Sequence, residues 1–209
     1  MKSSDLIKHL TESGLMPKEE MLEIAKGEQS LFIGIPKETA LQENRVALVP
    51  DSVGLLVNNG HRVLVESNSG EAANFTDKDY SEAGAEIVHE TKELYKANII
   101  IKVAPPTLKE IRMLDLKQKQ VLFSALQISS QPKDCIKELM KKKVTGIAYD
   151  FIKDREGVYP IVRSMSEIAG NTSILIAAEL LSNANGGHGV MMGGIPGVKP
   201  TEVVILGSG

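Results

Sequence analysis

Residues 31–50 read LFIGIPKETALQENRVALVP. The first five are apolar or glycine and end at Pro36, which has no amide hydrogen to continue a ladder, so Leu31–Ile35 is read as a buried parallel strand. A polar loop follows, at the end of the strand where open α/β sheets place their ligands. Arg45 sits in this loop just before Val46 and Ala47. A guanidinium held there matches a carboxylate with two parallel hydrogen bonds. From spacing alone the plainer reading of Arg45 is a solvated loop charge or a partner of Glu38 or Glu43, which is how most surface arginines are spent.

Beyond this stretch the chain alternates strand and helix. Asp51 is expected to cap a helix through Val53, Leu56 and Val57 that ends at Gly60, followed by a strand at 62–66. Thr76 with Asp79 starts a short helix, and 86–88 is a short strand. Residues 98–103 (NIIIKV) form a strand stopped by Pro105 and Pro106, and Thr107 with Glu110 makes a capping box. A strand at 120–125, a helix at 132–142 and a strand at 144–148 complete the series. The lysine run 141–143 reads as a solvated helix end, well placed against the helix dipole. This alternation predicts an α/β fold: a doubly wound, mostly parallel sheet of the Rossmann or flavodoxin type.

The flanks read differently. In 1–30, Leu6, Ile7 and Leu10, then Met21, Leu22 and Ile24, suit two short helices. They lie either on a partner subunit or on their own domain. Ser164 and Glu167 are read as a capping box heading a long helix to Leu181, apolar on most faces. Such a helix is buried between domains or subunits, and a homo-oligomer is expected. Ser166 then falls in the first turn, where it either satisfies local amides or meets an anion or cofactor hydroxyl. The glycine-rich loop 186–197 turns a corner or admits backbone to a ligand. Residues 202–206 read as a strand, and Gly207-Ser208-Gly209 as the opening of a phosphate-binding turn. The third glycine, the helix and the ribose acid do not follow, so a truncated nucleotide-binding domain is expected. The division is thus a helical leader (1–30), an amino-terminal α/β domain (31–163), and a long helix with the start of a nucleotide-binding domain (164–209).

The order of motifs carries a resemblance. IGIPKE with ENRVALVP, NGHRVLVE (59–66), DYSEAGAEIV (79–88), VTGIAYD (144–150), MSEIAG (165–170) and GGHGVMMGGIPGV (186–198) together resemble alanine dehydrogenases and the nicotinamide nucleotide transhydrogenase α subunit, closer to the former. The resemblance implies that 31–163 is a substrate domain and that 164–209 is a crossing helix leading into a NAD-binding domain. It further implies that Arg45 holds a substrate carboxylate, that Ser166, Gly207 and Gly209 contact the dinucleotide, and that the cofactor is NAD. It also exposes departures. Alanine dehydrogenases usually carry KVKEP where this chain has KVAPP, so Ala104 stands at the position of a keto-acid lysine, and Gln127 at that of a catalytic histidine. Glutamine cannot exchange protons as imidazole does. Asn171 stands where an arginine is usual. Lys102 either reaches the substrate or neutralises a neighbouring acid, the second being the plainer reading.

Composition sets the outer bounds. A net charge of −3 gives no electrostatic case for nucleic acid. The single cysteine, Cys135, excludes an internal disulfide and suits a reducing compartment. No apolar run approaches the ~20 residues of a membrane span, so a cytoplasmic location without membrane insertion is expected. Three readings stand: an alanine dehydrogenase-like oxidoreductase acting on a small 2-amino or 2-oxo acid, a transhydrogenase-α-like NAD(H)-binding chain with a membrane partner, and a non-catalytic homologue.

Overall fold

The computed structural model describes residues 30–115, 119–198 and 201–207. The two leader helices and Gly209 therefore lie outside the described residues. Six strands form one sheet: β1 (Phe32–Ile35), β2 (Arg62–Glu66), β3 (Glu86–Val88), β4 (Ile99–Ile101), β5 (Val121–Ser124) and β6 (Thr145–Ala148). Their order is β3-β2-β1-β4-β5-β6, and every neighbouring pair is parallel. This is the doubly wound arrangement, with its switch point between β1 and β4. Ile33 lies between Val63 of β2 and Ile99 of β4, so the stretch that opens the sequence is the centre of the sheet.

Alternation along the strands divides the core between the two faces. On one, Ile33, Ile35, Val63 and Val65 meet Val53 of helix α1 (Pro50–Asn58) and Tyr80 of α2 (Asp77–Glu82). On the other, Leu64, Ile100 and Leu122 meet Leu94 of α3 (Thr91–Leu94), Ile111 of α4 (Leu108–Met113) and Cys135 of α5 (Lys133–Lys142). Gly34 points to this second face, where an added Cβ would come within 2.9 Å of the Leu94 carbonyl oxygen. Helix α3 packs that close only because residue 34 has no side chain.

The helix starts show how local chemistry sets the boundaries. Thr76 with Asp79 and Thr107 with Glu110 form complete capping boxes. Asp51 does not cap α1: Pro50 occupies its first position, Val49 is the N-cap, and Asp51 lies one residue inside. The same displacement occurs in α6 (Pro160–Leu181). Pro160, with its pre-set φ, starts the helix four residues before the expected box. Ser164 is therefore interior and donates to the Pro160 carbonyl at 2.9 Å, while Glu167 pairs with Arg163 at 2.9 Å. No residue of α6 is buried within this chain.

One further expectation fails and another holds in part. Residues 201–207 form no strand and pair with none among the described residues, and Leu206 is 94% exposed. In the lysine run, Lys141 and Lys143 are exposed as expected, but the Lys142 ammonium donates to the carbonyls of Arg112 and Leu114 at 2.8 and 2.6 Å, closing the end of α4.

Gln120, fully buried just before β5, bonds to three backbone groups across the second face: its amide nitrogen donates to the Tyr95 and Ala97 carbonyls, both at 2.6 Å, and its oxygen accepts from Asp115 N–H at 2.7 Å. Gln120→Met keeps the length and strips those bonds. We predict a loss of about 2–4 kcal/mol in urea denaturation, from two buried carbonyls deprived of their donor. A loss below about 0.5 kcal/mol would mean that the site is wet.

Candidate functional site

Loop 36–49 leaves the carboxyl end of β1 beside the switch point. Glu38 turns back from it into the protein. Its carboxylate accepts from the Val103 N–H at 2.6 Å, from the Ala104 N–H at 3.4 Å and from Lys102 Nζ at 3.0 Å. Lys102 Nζ also donates to Glu110 Oε1 at 2.9 Å, while Glu110 Oε2 accepts from the Thr107 N–H at 2.7 Å and hydroxyl at 2.8 Å. The Lys102, Glu38 and Glu110 side chains are only 1%, 5% and 8% exposed. Lys102 therefore neutralises buried acids, with two of its three N–H groups committed to them. Tyr149, just after β6, donates to the Val103 carbonyl at 2.6 Å. The Val103 residue is thus held at its N–H by the β1 loop and at its C=O by the end of β6.

On the other side of this clamp is a cavity of about 200 Å³. Arg45, Phe123, Tyr149, Ile161 and Met165 line it, together with residues of the β1 loop and the end of β4. Phe123 and Tyr149 form a tilted ring pair with centroids 5.9 Å apart. Arg45 provides the charge. Its Nε and Nη2 grip the two oxygens of Glu43 at 2.7 and 2.6 Å, and Nη1 lies 3.6 Å from Met165 Sδ. Glu43 occupies one edge of the fork. Nη1 donates one of its two N–H groups to Met165 Sδ and Nη2 one of its two to Glu43, so each keeps one further N–H that a second carboxylate can accept.

Hydrogen bonding to Arg45 holds the Glu43 carboxyl below its ordinary range, and the same contact raises the Arg45 pKa. With a depressed carboxyl, the pair's contribution is complete above the ordinary carboxylate pKa and is lost only as pH falls through the lowered value. Arg45 is therefore oriented throughout the neutral range. Burial pushes the Tyr149 hydroxyl up, with Arg45 opposing.

The other expected residues are not gathered here. Ala104 is buried and Gln127 is exposed in a left-handed turn at φ 42°, and neither lines the Arg45 cavity. Ser166 lies in the second turn of α6, and its hydroxyl donates to the Val162 carbonyl at 2.9 Å. Gly207 has the φ of 102° that a glycine turn uses, but it is exposed and follows no strand. The described residues do not include the rest of that turn, Ser208 and Gly209. Nor do they contain a group of three or more His, Cys, Asp or Glu side chains suited to a metal, or a helix long and apolar enough to cross a membrane. Sequence reading anticipated that Lys102 pairs with an acid but not that the acids are Glu38 and Glu110, and it missed the aromatic wall. The signal for Glu110 was partly present, since it was placed in a capping box that uses only one of its oxygens.

Lys102→Met would leave two carboxylates buried with no cation. We predict a loss of about 3–5 kcal/mol in denaturation at neutral pH. A loss below about 1 kcal/mol, as for an exposed pair such as Arg62–Glu86, would show that the cluster is open to water.

Comparison with known proteins fits this geometry. The family described as alanine dehydrogenase/PNT, N-terminal domain, matches residues 34–169, and the corresponding C-terminal domain matches 173–209. An alanine dehydrogenase of Methanococcus maripaludis is 43% identical over 180 residues, covering 86% of this chain and 48% of that protein. One from Staphylococcus epidermidis is 42% identical over 177 residues, covering 85% and 47%. This chain thus spans about half the length of these relatives. A solved L-alanine dehydrogenase superposes with a TM-score of 0.75 at 38% identity, covering 80% of this chain and 46% of the other. A transhydrogenase from Sinorhizobium meliloti gives 0.53 at 26% identity, covering 59% and 34%. On both sequence and fold, the chain belongs to the alanine dehydrogenase/PNT family.

Proposed function

We propose that this chain forms the carboxylate-binding part of an alanine dehydrogenase-like oxidoreductase, which exchanges a hydride between NAD(H) and a small 2-amino or 2-oxo acid such as L-alanine or pyruvate. The observation that carries the reading is Arg45, fixed by Glu43 on one edge and presenting the other beside a cavity at the carboxyl end of a parallel sheet. The nicotinamide cofactor enters through kinship with the dehydrogenases. The described residues act on the carboxylic acid alone: Arg45 binds and orients it, and Phe123, Ile161 and Met165 keep water from its body.

The transhydrogenase-like alternative is the weaker one, since that structure is less similar in both fold and sequence. A non-catalytic homologue is favoured by one observation. No histidine, aspartate or glutamate lines the cavity, and Ala104 and Gln127 cannot transfer protons. The reading also includes a cytoplasmic, homo-oligomeric protein with no nucleic-acid partner.

Arg45→Lys keeps the charge and loses the two-pronged geometry. Pyruvate binding, followed by calorimetric titration, is expected to weaken by roughly 1.5–3 kcal/mol. Unchanged pyruvate affinity in the folded variant would assign Arg45 to structure alone.

A further inference from the structure

We infer that the acidic stretch 17–28 of the leader docks on this chain's own α5, along an apolar groove at the β6 edge of the sheet. The groove has a volume of about 220 Å³ and shares no lining residue with the Arg45 cavity. Its wall is Ile136, Leu139 and Met140 of α5 with Leu126 and Val144, over Gly146 of β6. Met140 is 73% exposed, so the described residues leave this apolar stripe uncovered.

Charge identifies the occupant. From Lys133 to Lys143 there are five lysines and two acids, a net +3 in a chain of net −3. With about 100° between successive residues, Ile136, Leu139, Met140 and Lys143 fall in one stripe with Lys133 beside it, while Asp134 and Glu138 fall on the far side. Those acids pair along the helix with Lys137 and Lys141 at 4.0 and 3.7 Å. Lys133 and Lys143 are left as charges at the two ends of the stripe. A basic-rimmed apolar groove takes an amphipathic acidic helix. Residues 17–28, PKEEMLEIAKGE, carry four glutamates and two lysines, a net −2. Read as a helix, they bring Met21, Leu22 and Ile24 to one side, with Glu20 and Glu23 along its border.

Reach favours the chain's own leader over that of another copy. Register places Ile33, Ile99, Val121 and Thr145 in one row across the sheet. The starts of β1 and β6 are therefore at the same end, three strand spacings or about 14 Å apart. Lys143 and Val144 line the groove at that end. Residues 25–30 span up to about 20 Å, enough to carry Ile24 from β1 to Lys143 within one chain. The family match begins only at residue 34, so this contact is an addition to the shared fold.

The test is disulfide trapping in the full 209-residue chain. Leu22→Cys is combined either with Met140→Cys in the groove or with Leu55→Cys on α1, across the sheet. Both partner positions are exposed, so neither change disturbs the core, and the native Cys135 is buried. Under mild oxidation the 22–140 pair should close within one chain more than about tenfold faster than the 22–55 pair. Lys133→Glu with Lys143→Glu should slow closure about two- to fivefold for each exposed charge. Adding Glu20→Lys with Glu23→Lys should restore it. Equal rates for the two cysteine pairs, or a rate indifferent to the lysine reversals, would overturn the inference. A covalent dimer in place of the intrachain bond would also overturn it and assign the groove to a second copy.

Discussion

One buried ammonium shared by two carboxylates fixes the business end of this sheet. Lys102 follows β4, Glu38 comes from the loop after β1, and Glu110 from the first turn of α4. Their encounter joins the two loops that diverge at the switch point. Burying three charges is unfavourable unless every oxygen finds a donor. Here the amides of Val103, Ala104 and Thr107 and the Thr107 hydroxyl supply them. The interaction is specific for that reason: the carboxylate of Glu38 fits only where β4 ends and its amides are free.

The clamp has a consequence for chemistry. It commits the Lys102 ammonium to two carboxylates and leaves Arg45 as the more exposed charge beside the neighbouring cavity. Arg45 is in turn oriented by Glu43 from the same loop. The site is thus a short cascade in which a buried cluster sets a loop, the loop sets an acid, and the acid sets a guanidinium. Tyr149 closes the opposite side by holding the Val103 carbonyl. Hydrophobic Phe123, Ile161 and Met165 line the rest of that cavity.

The sheet was legible because its information is local. Apolar runs ending in proline or polar loops located the strands, and threonine with an acid three residues on marked two helix starts. The same rule failed at Ser164 and Glu167 because Pro160 nucleates the helix one turn earlier. Residues 202–206 have the composition of a strand, but a strand is a property of its neighbours, and none is paired with it among the described residues. The site was half legible. Arg45 stood out through its motif, and the commitment of Lys102 to acids was foreseen as one of two readings. Which acids, and how deeply buried, depends on residues 64 positions before it and eight after it in the chain, a pairing that spacing does not encode. Tyr149 and Phe123 gave no signal beyond their strands.

The central claim is that Glu38 docks loop 36–49 onto the end of β4 and so holds Arg45 in place. The Val103 amide reports on this alone, because its hydrogen bond goes to the Glu38 carboxylate and not to a strand. Native-state hydrogen exchange, read by NMR, tests it directly. The account predicts that Val103 exchanges as slowly as the neighbouring Lys102 amide, whose bond is to the Phe123 carbonyl of β5. Exchange at the rate of an exposed loop amide, with Lys102 protected, would show the loop undocked and contradict the account.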